Sequence, residues 1–343
     1  MPPLLFLAGN AIFLARLVFG WSFTLFRVTY AFNTIILPIA LCAASWHLLL
    51  ARHRDRSFPR ASALGGAYLV VALLLIGVRI YATHIEPHRL TLRHVRIESP
   101  KLRRPVRLLH ISDFQTARIG GYEEKVVRMV RELDPDLVIH SGDLLQCRTT
   151  RIETEMPKLT RLFSTVTPPM GKYGVYGDTD WRLGDAGTEA LGGLVMLKNS
   201  SVTLSDAGST LRILGLSRRT AGERPPSLLP TVSDWLDTAQ TNDFCILVGH
   251  APDFVMEVSS LPIDLCLAGH THGGQVRIPF FGPIMTLSTV PRKLARGFHQ
   301  VGNTRINVSA GIGVEHAGGM PPLRFNCPPE MTLIELVPLD SHM

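Results

Sequence analysis

The 343-residue sequence has little charge and few cysteines. Asp, Glu, Lys and Arg make up 18% of the chain and 46% is hydrophobic, which excludes a disordered or low-complexity protein. The five cysteines form no Cys-x-x-Cys pair. Their spacing excludes a zinc ribbon and a disulfide framework, so we interpret the thiols as small buried hydrophobic side chains.

Acidic residues are nearly missing from the first third of the chain. Residues 1–104 contain three acidic and 13 basic residues, whereas residues 105–343 contain 25 acidic and 22 basic ones. The net charge of +7 therefore originates in the N-terminal third. Because a nucleic-acid-binding domain needs a basic face, the slightly acidic remainder predicts no nucleic-acid partner.

What the first third does have is long apolar runs. Leu4–Phe26, Val28–Leu50 and Ala63–Thr83 are each long enough to cross a bilayer as a helix. Arg16 falls inside the first run, which therefore predicts a span, a re-entrant piece or an interfacial helix. We expect a multi-pass cell-membrane protein with an anchor of two or three helices over 1–86, a basic connector over 87–104 and a globular domain over 105–340.

Two charge cues bear on membrane orientation, and they oppose each other. The loop 51–60 carries four arginines, which by the positive-inside rule places the loop in the cytoplasm and the domain outside. The connector 87–104 carries six basic residues and favours the opposite arrangement. The sequence leaves the side of the domain open.

The globular part alternates short apolar runs with helical patterns. Strands are predicted at Val106–Ile111, Leu137–His140, Lys172–Tyr176, Leu194–Leu197, Leu211–Leu214, Phe244–Val248 and Leu265–Ala268. Helices are predicted at Tyr122–Leu133 and near 153–164, 186–192 and 232–238. This alternation indicates an α/β sandwich with layered sheets.

Carboxylates and imidazoles follow five of these strands. They are Asp113; Gly142-Asp143; Gly177-Asp178-Thr179-Asp180; Gly249-His250; and Gly269-His270-Thr271-His272-Gly273-Gly274. Side chains at the carboxyl ends of parallel strands converge on one crevice, so we expect a shared site. Oxygen and imidazole ligands without thiolate suit Mn, Fe, Zn or Mg. His110 and His140 lie within predicted strands, and we interpret them as packed core residues.

This ordered set resembles the calcineurin-like metallophosphoesterases, and in particular their membrane-anchored bacterial subgroup. The segments Ser309–Gly313, Pro322–Arg324 and Pro329-Glu330 extend the resemblance to about residue 337. It implies a four-layer α/β/β/α sandwich and two divalent ions, with Mn favoured and Fe, Zn or Mg as alternatives. The ions bind phosphate and activate a water in that family.

The resemblance also implies roles for individual residues. Asp143 is the bridging ligand of both ions. Asp113 and His272 complete one site, and His250 and His270 complete the other. Asp143, Thr179 and Asp180 fall at the family's catalytic positions.

Three positions depart from the family pattern. Gln115 replaces a histidine, as in related manganese-dependent diphosphatases, and its amide oxygen is expected to bind metal. Asp178 replaces an asparagine; it keeps an oxygen ligand and adds a negative charge.

Thr179 replaces a histidine that acts on the leaving group in the family, and a threonine cannot serve as an acid near neutral pH. In one interpretation the substrate has a good leaving group, as in the related pyrophosphohydrolases of lipid A assembly that also lack this histidine. In the other, His299, His316 or Arg324 takes over the role.

We therefore expect metal-dependent hydrolysis of a phosphoester or pyrophosphate bond by a metal-activated water at the membrane surface, on a phosphate-containing substrate such as a lipid-linked or nucleotide-lipid one. The basic connector supports this by attracting anionic headgroups, although such flanks also serve plain anchoring. The alternative is a catalytically impaired metal-binding membrane protein with a structural or regulatory role.

Overall fold

The computed structural model describes residues 10, 28–54, 59–183, 191–217, 227–315 and 322–339. The chain divides into two compact units. The first comprises 1–86 with 316–323, and the second comprises 87–315 with 324–343.

The described part of the first unit is helical. Helices α1 (Leu37–Arg54) and α2 (Pro59–Ile80) are extended by π-helical turns at Phe32–Ile36 and Tyr81–Ile85. Among the described residues, two helices, Val28–Arg54 and Arg60–His88, are long and apolar enough to cross a membrane. They contain the second and third predicted apolar runs. The first run, Leu4–Phe26, lies outside the described residues except for Asn10.

These two helices bury few of their apolar side chains. Leu37, Leu41 and Ala72 form a small shared core, and the Ser45 hydroxyl donates a hydrogen bond to the Gly65 carbonyl. Large apolar side chains elsewhere on the helices are exposed, including Leu74 at 63%. Such an uncovered apolar surface is expected of a helix whose surroundings are lipid.

The second unit is built of short strands and helices. In the part that the structure describes, the strands are β1 (Thr91–Ser99), β2 (Val106–Ile111), β3 (Leu137–His140), β4 (Lys172–Gly174), β5 (Leu194–Met196), β6 (Ser200–Asp206), β7 (Ser209–Gly215), β8 (Asp243–Val248), β9 (Leu265–Ala268), β10 (Arg277–Ile278), β11 (Gly282–Pro283), β12 (Gly297–Val301), β13 (Thr304–Val308) and β14 (Glu330–Pro338). The helices are α3 (Gly121–Glu132), α4 (Thr149–Ser164), α5 (Leu229–Asp237) and α6 (Val255–Val258).

The described strands form two large sheets and one small hairpin. The first sheet has the order β1-β14-β2-β3-β4-β5 and the second β12-β13-β9-β8-β7-β6, while β10 and β11 pair separately. Strands β2 to β5 are parallel to one another, and so are β7, β8, β9 and β13. Parallel neighbours bring their carboxyl ends to the same edge of each sheet.

The layers are held together by three apolar interfaces. The sheets pack on each other through residues such as Leu108, Ile139, Ile213 and Ile246. Helices α3 and α4 cover the outer face of the first sheet, with Val126 and Phe163 in contact with the strands. Helix α5 covers the second sheet through Val232 and Trp235. The expected four-layer α/β/β/α sandwich is confirmed.

Local sequence explains the main elements. Five of the six residues of β2 are buried, and Arg107 is the exception, as expected for a strand covered on both faces. Helix α3 has Val126, Val127 and Val130 on one buried face. The carboxylate of Glu123 accepts a hydrogen bond from the Gly120 N–H at 2.9 Å and so closes the first turn.

Most of the predicted elements are present. Strands β2, β3 and β9 have the predicted bounds, and β4, β5, β7 and β8 differ from them by two residues or fewer at either end. Helix α4 begins at Thr149, before the predicted start near 153. The helix predicted near 186–192 falls largely outside the described residues.

The interpretation of 87–104 as a connector needs correction. Thr91–Ser99 forms β1, which pairs in parallel with β14 along its whole length. Its alternation is weak because β1 is an edge strand with several exposed side chains. A sequence pattern built on buried runs therefore misses it.

Four basic residues of this stretch form ion pairs with carboxylates of the same domain. Arg93 contacts Glu330, Arg96 contacts Glu98, Lys101 contacts Asp264 and Arg104 contacts Asp206. A side chain bound to a carboxylate of its own domain is less able to attract lipid headgroups. The structure thus weakens the headgroup argument for this segment.

Candidate metal centre

The five predicted polar segments meet at the carboxyl ends of the strands. Asp113 follows β2, Asp143 follows β3 and 177–180 follows β4, all from the first sheet. His250 follows β8, and the loop with His270 and His272 follows β9, both from the second sheet. The backbone N–H of His270 donates to the Asp113 carboxylate at 3.1 Å, so this bond joins the two sheets at the site.

One group of side chains, the outer cluster, consists of Asp178, His250 and His270. The Asp178 Oδ2 atom lies 3.1 Å from His270 Nδ1 and 4.0 Å from His250 Nε2. The Asp178 side chain is 48% exposed, whereas His250 is 2% exposed. These ligand atoms lie within 4.8 Å of one another, close enough to hold a metal ion.

A backbone carbonyl orients each imidazole of the outer cluster. His250 Nδ1 donates to the Ser141 carbonyl at 2.8 Å, and His270 Nε2 donates to the Leu287 carbonyl at 2.8 Å. These bonds leave His250 Nε2 and His270 Nδ1 facing the site as lone-pair donors. Carbonyl acceptors of this kind fix the tautomer of metal-binding histidines in proteins.

The second group, the inner cluster, consists of Asp113, Gln115 and His272, and Asp143 lies between the two clusters. His272 Nε2 lies 3.7 Å from Asp113 Oδ1, and Asp143 Oδ2 lies 3.4 Å from His250 Nε2. Asp113, Asp143 and His250 form a further set of atoms that could hold an ion. Every member of the inner cluster is buried.

The amide of Gln115 has a fixed orientation. Its Nε2 donates to Glu315 Oε2 at 2.6 Å, and Gln146 Nε2 donates to Glu315 Oε1 at 2.6 Å. The backbone N–H of Glu315 in turn donates to Gln275 at 2.7 Å. Because the amide nitrogen is bound to Glu315, the amide oxygen is left as the group available to a metal.

Two buried atoms support a metal at this place. Among the described residues, Gln115 Oε1 and His250 Nε2 are buried without a hydrogen-bond partner. Burying an unpaired polar atom is costly, and both atoms can donate a lone pair to a metal ion. The donor set of carboxylate, amide and imidazole groups fits divalent ions such as Mn, Fe, Zn or Mg.

Asp180 contacts the backbone that carries the ligands. Its carboxylate accepts hydrogen bonds from the N–H groups of Asp143, Leu144 and Gly177 at 2.7–2.8 Å. Both oxygens are thereby engaged, which gives Asp180 a positioning contact. Its assignment to the catalytic group stays a prediction.

Thr179 lies next to the central carboxylate of Asp143. Its backbone N–H donates to Asp143 Oδ1 at 2.8 Å, and its hydroxyl is buried without a hydrogen-bond partner among the described residues. The side chain therefore sits beside the central carboxylate and offers no group that titrates near neutral pH.

The backbone at the site is strained. Asp113, Gln115, Asp143, His270 and His272 have φ values between 39° and 68°. Non-glycine residues rarely adopt this region, at a cost of about 1–3 kcal/mol each, and they concentrate at functional sites. At Gly177 and Gly269 there is no room for a Cβ atom, which would overlap Asp143 and Ser112 respectively. The fold thus holds the ligand loops closer than ordinary turns allow.

The electrostatics of the site reflect crowded carboxylates. Burial raises the pKa of Asp113. Against the effect of burial, the Asp143 carboxylate raises the pKa of His250 well above its usual value. Burial and the neighbouring Arg324 guanidinium lower the pKa of His272 well below its usual value. A bound divalent cation would offset the excess negative charge.

The three residues proposed as substitutes for the missing histidine differ in their placement. Arg324 is fully buried and donates to the carbonyls of Ala310, Gly313 and Cys327 behind His272. His299 Nε2 donates a hydrogen bond to the Arg296 carbonyl at 2.8 Å. His316 lies outside the described residues.

Several contacts at the site have no signal in the sequence. The link from Glu315 to Gln115 spans 200 positions, and the carbonyl of Leu287 belongs to a loop without a motif. His110 and His140 are fully buried, as expected, and burial lowers the pKa of each to about 3.

The chain is similar to known phosphoesterases. A family model described as calcineurin-like phosphoesterase matches residues 106–274. The metallophosphoesterase YkuE of Bacillus subtilis is 31% identical over 79% of this chain and 94% of its own length. The phosphodiesterase YaeI of Escherichia coli is 25% identical, over 68% and 83%. The UDP-2,3-diacylglucosamine pyrophosphatase LpxG of Chlamydia trachomatis is 23% identical, over 74% and 92%.

Proposed function

This chain belongs to the calcineurin-like metallophosphoesterase family, and on that premise we propose that it hydrolyses a phosphoester or pyrophosphate bond with a good leaving group, in a lipid-linked substrate, at a membrane surface. Enzymes of the family use a dinuclear metal centre. In this proposal Asp113, Gln115, Asp143 and His272 would hold one ion, and Asp143, Asp178, His250 and His270 would hold the other. Divalent ions supply Lewis-acid stabilisation of the phosphate and an activated water.

The identity of residue 179 is the observation from which we infer the kind of bond that is hydrolysed. The threonine next to Asp143 has no proton to give near neutral pH, whereas a poor leaving group such as an alkoxide requires one. A nucleotide or phosphate leaving group accepts the developing negative charge without protonation. The similarity to LpxG, a pyrophosphatase by name, supports the same substrate class.

The protein's own residues arrange the centre. Ser141 and Leu287 orient the imidazoles of the outer cluster, and Glu315 orients Gln115. The N–H of Thr179 and the carboxylate of Asp180 hold the position of Asp143. Such contacts set ligand geometry before substrate arrives, which lowers the cost of reorganisation during catalysis.

The membrane part of the proposal rests on the two apolar helices. Val28–Arg54 and Arg60–His88 have the length and composition of membrane spans. As an anchor over 1–86 they would hold the domain near lipid substrates. Anchoring is tested by fractionation: the full chain should stay with membranes in alkaline carbonate and leave them only in detergent.

The enzymatic test is a substrate panel with the full-length protein in detergent micelles. Phosphomonoesters, phosphodiesters and pyrophosphates are compared with added Mn, Mg or Zn. We expect pyrophosphates and activated diesters to be the best substrates. If alkyl phosphomonoesters were hydrolysed best, the argument from Thr179 would be wrong.

A further inference from the structure

The hairpin of β10 and β11 carries an exposed apolar turn. The turn, here called the apolar tip, consists of Ile278, Pro279, Phe280 and Phe281. Phe280 is fully exposed, and Phe281 and Ile278 are 46% and 39% exposed. Adjacent phenylalanines in water at the end of a hairpin are unfavourable unless something covers them.

The surroundings of the apolar tip are basic. The Arg292 guanidinium lies 4.8 Å from the centre of the Phe281 ring, and Lys293 next to it is also exposed. Arg277, the first residue of β10, is a third basic residue at the hairpin. Aromatic side chains flanked by Arg and Lys match the chemistry of an anionic membrane interface, where rings enter the acyl boundary and cations meet phosphates.

The base of the hairpin contacts the loop that carries His270 and His272. Arg277 Nη1 donates to the Gly273 carbonyl at 2.9 Å, one residue after His272. Pro283 packs so closely on Gly274 that a Cβ atom there would overlap it. The loop that leaves the hairpin supplies the Leu287 carbonyl that holds His270. A surface bound to the tip would therefore lie beside the ligand loop.

We propose that the apolar tip inserts into the interface of an anionic membrane and so presents lipid phosphates to the metal centre. The occupant is a lipid surface rather than a protein, because a stable protein interface buries about 800 Å² on each partner and the tip is a single four-residue turn. The substrate side of this inference rests on the proposed function, but membrane contact by the tip does not.

The direct test is photocrosslinking of the full-length protein in phosphatidylcholine vesicles with and without phosphatidylglycerol. A benzophenone amino acid is introduced as Phe280→p-benzoylphenylalanine and, as a matched control, as Met256→p-benzoylphenylalanine, since Met256 is 52% exposed on α6. We expect phospholipid adducts at position 280, increased by phosphatidylglycerol, and few at position 256. Adducts only with protein, or equal yields at the two positions, would overturn the proposal.

A kinetic test separates this inference from the proposed function. The double variant Phe280→Ser with Phe281→Ser should lose about tenfold in kcat/KM on CDP-diacylglycerol in the same vesicles, given the apolar surface removed. Turnover of soluble bis-p-nitrophenyl phosphate checks that the metal centre is intact. Equal loss on both substrates would contradict the membrane role. If the wild-type protein leaves CDP-diacylglycerol intact while position 280 still crosslinks to lipid, the proposed substrate class fails and the membrane contact stands.

Discussion

The inner and outer clusters differ in how they could hold an ion. The inner cluster is fully enclosed, and its neutral amide, Gln115, is oriented by Glu315. The outer cluster is partly open, since the Asp178 side chain is 48% exposed. Its departure from the family pattern is an added negative charge, because Asp178 stands where the family has an asparagine. Burial makes the inner cluster depend on exact hydrogen-bond geometry, while the outer cluster depends more on charge. The following predictions test that difference.

Replacing the residue shared by both clusters should have the largest effect. In Asp143→Asn the central carboxylate is lost, so both ions should bind weakly and turnover should fall by more than about 10³-fold. Metal content by mass spectrometry and turnover with Mn measure the two effects. The exposed Asp237→Asn in α5 is the matched control. Full metal content with full turnover in Asp143→Asn would contradict a bridging role. Tight metal binding by the unaltered protein without turnover of any substrate would favour the non-catalytic alternative.

Restoring an acid next to Asp143 should change the substrate range. Thr179→His places an imidazole next to Asp143, where general acid catalysis typically contributes about 10²-fold or more. We expect alkyl phosphomonoester turnover to rise while pyrophosphate turnover changes little. Thr179→Ser, which keeps the hydroxyl, is the control. A uniform change on all substrates would indicate that residue 179 does not act on the leaving group.

Removing the charge that orients Gln115 should affect the inner cluster alone. In Glu315→Gln the new amide can no longer accept from both Gln115 and Gln146, so the Gln115 oxygen is no longer held toward the ion. Changes to such supporting contacts cost about 10–100-fold in metal affinity. Calorimetry should show one weakened site and one unchanged site.

A second substitution, at Gln115 itself, tests whether Glu315 acts by orienting the amide. Gln115→His supplies a ring ligand that does not rely on the amide orientation, so adding Glu315→Gln to it should have little further effect. If Glu315→Gln weakened both ions to the same degree in the two backgrounds, its contribution would be general charge rather than orientation.

The smallest effect is expected in the open cluster. Asp178→Asn keeps an oxygen ligand and removes one charge, and because the side chain is half exposed, solvent screens that charge. The affinity for the outer ion should fall by less than about tenfold, and KM for an anionic substrate should decrease. Titrations of Mn at low and high salt check this. A loss as large as in Asp143→Asn would mean that the two clusters are not separable.

Sequence patterns identified several buried strands, but they missed β13 and β14, whose residues are also mostly buried. β2, β3 and β9 read as apolar runs because both of their faces are covered, and the polar residues after them are close in sequence to the strands that position them. β1 and the β10–β11 hairpin were missed because an edge strand and a two-residue strand leave too few buried positions to form a pattern.

The arginines of 87–104 illustrate a second limit. Their count predicted a basic connector that attracts lipid headgroups, yet Arg93 forms two hydrogen bonds with buried Glu330, which lies 237 positions away. Charge composition gives the number of cations but not their partners. The basic surface that remains exposed next to an apolar one, at Arg292 and the apolar tip, could be recognised only from solvent exposure.

The amino-acid sequence by itself determined the layered α/β architecture, the apolar N-terminal helices and the types of ligand atom, because these follow from periodicity and from chemistry carried in short motifs. Only the tertiary structure decided which way the Gln115 amide points, which carbonyls hold His250 and His270, and that Phe280 is exposed on a hairpin whose base contacts the loop after His272. Those features depend on contacts between residues far apart in the chain, and local patterns carry no information about such contacts.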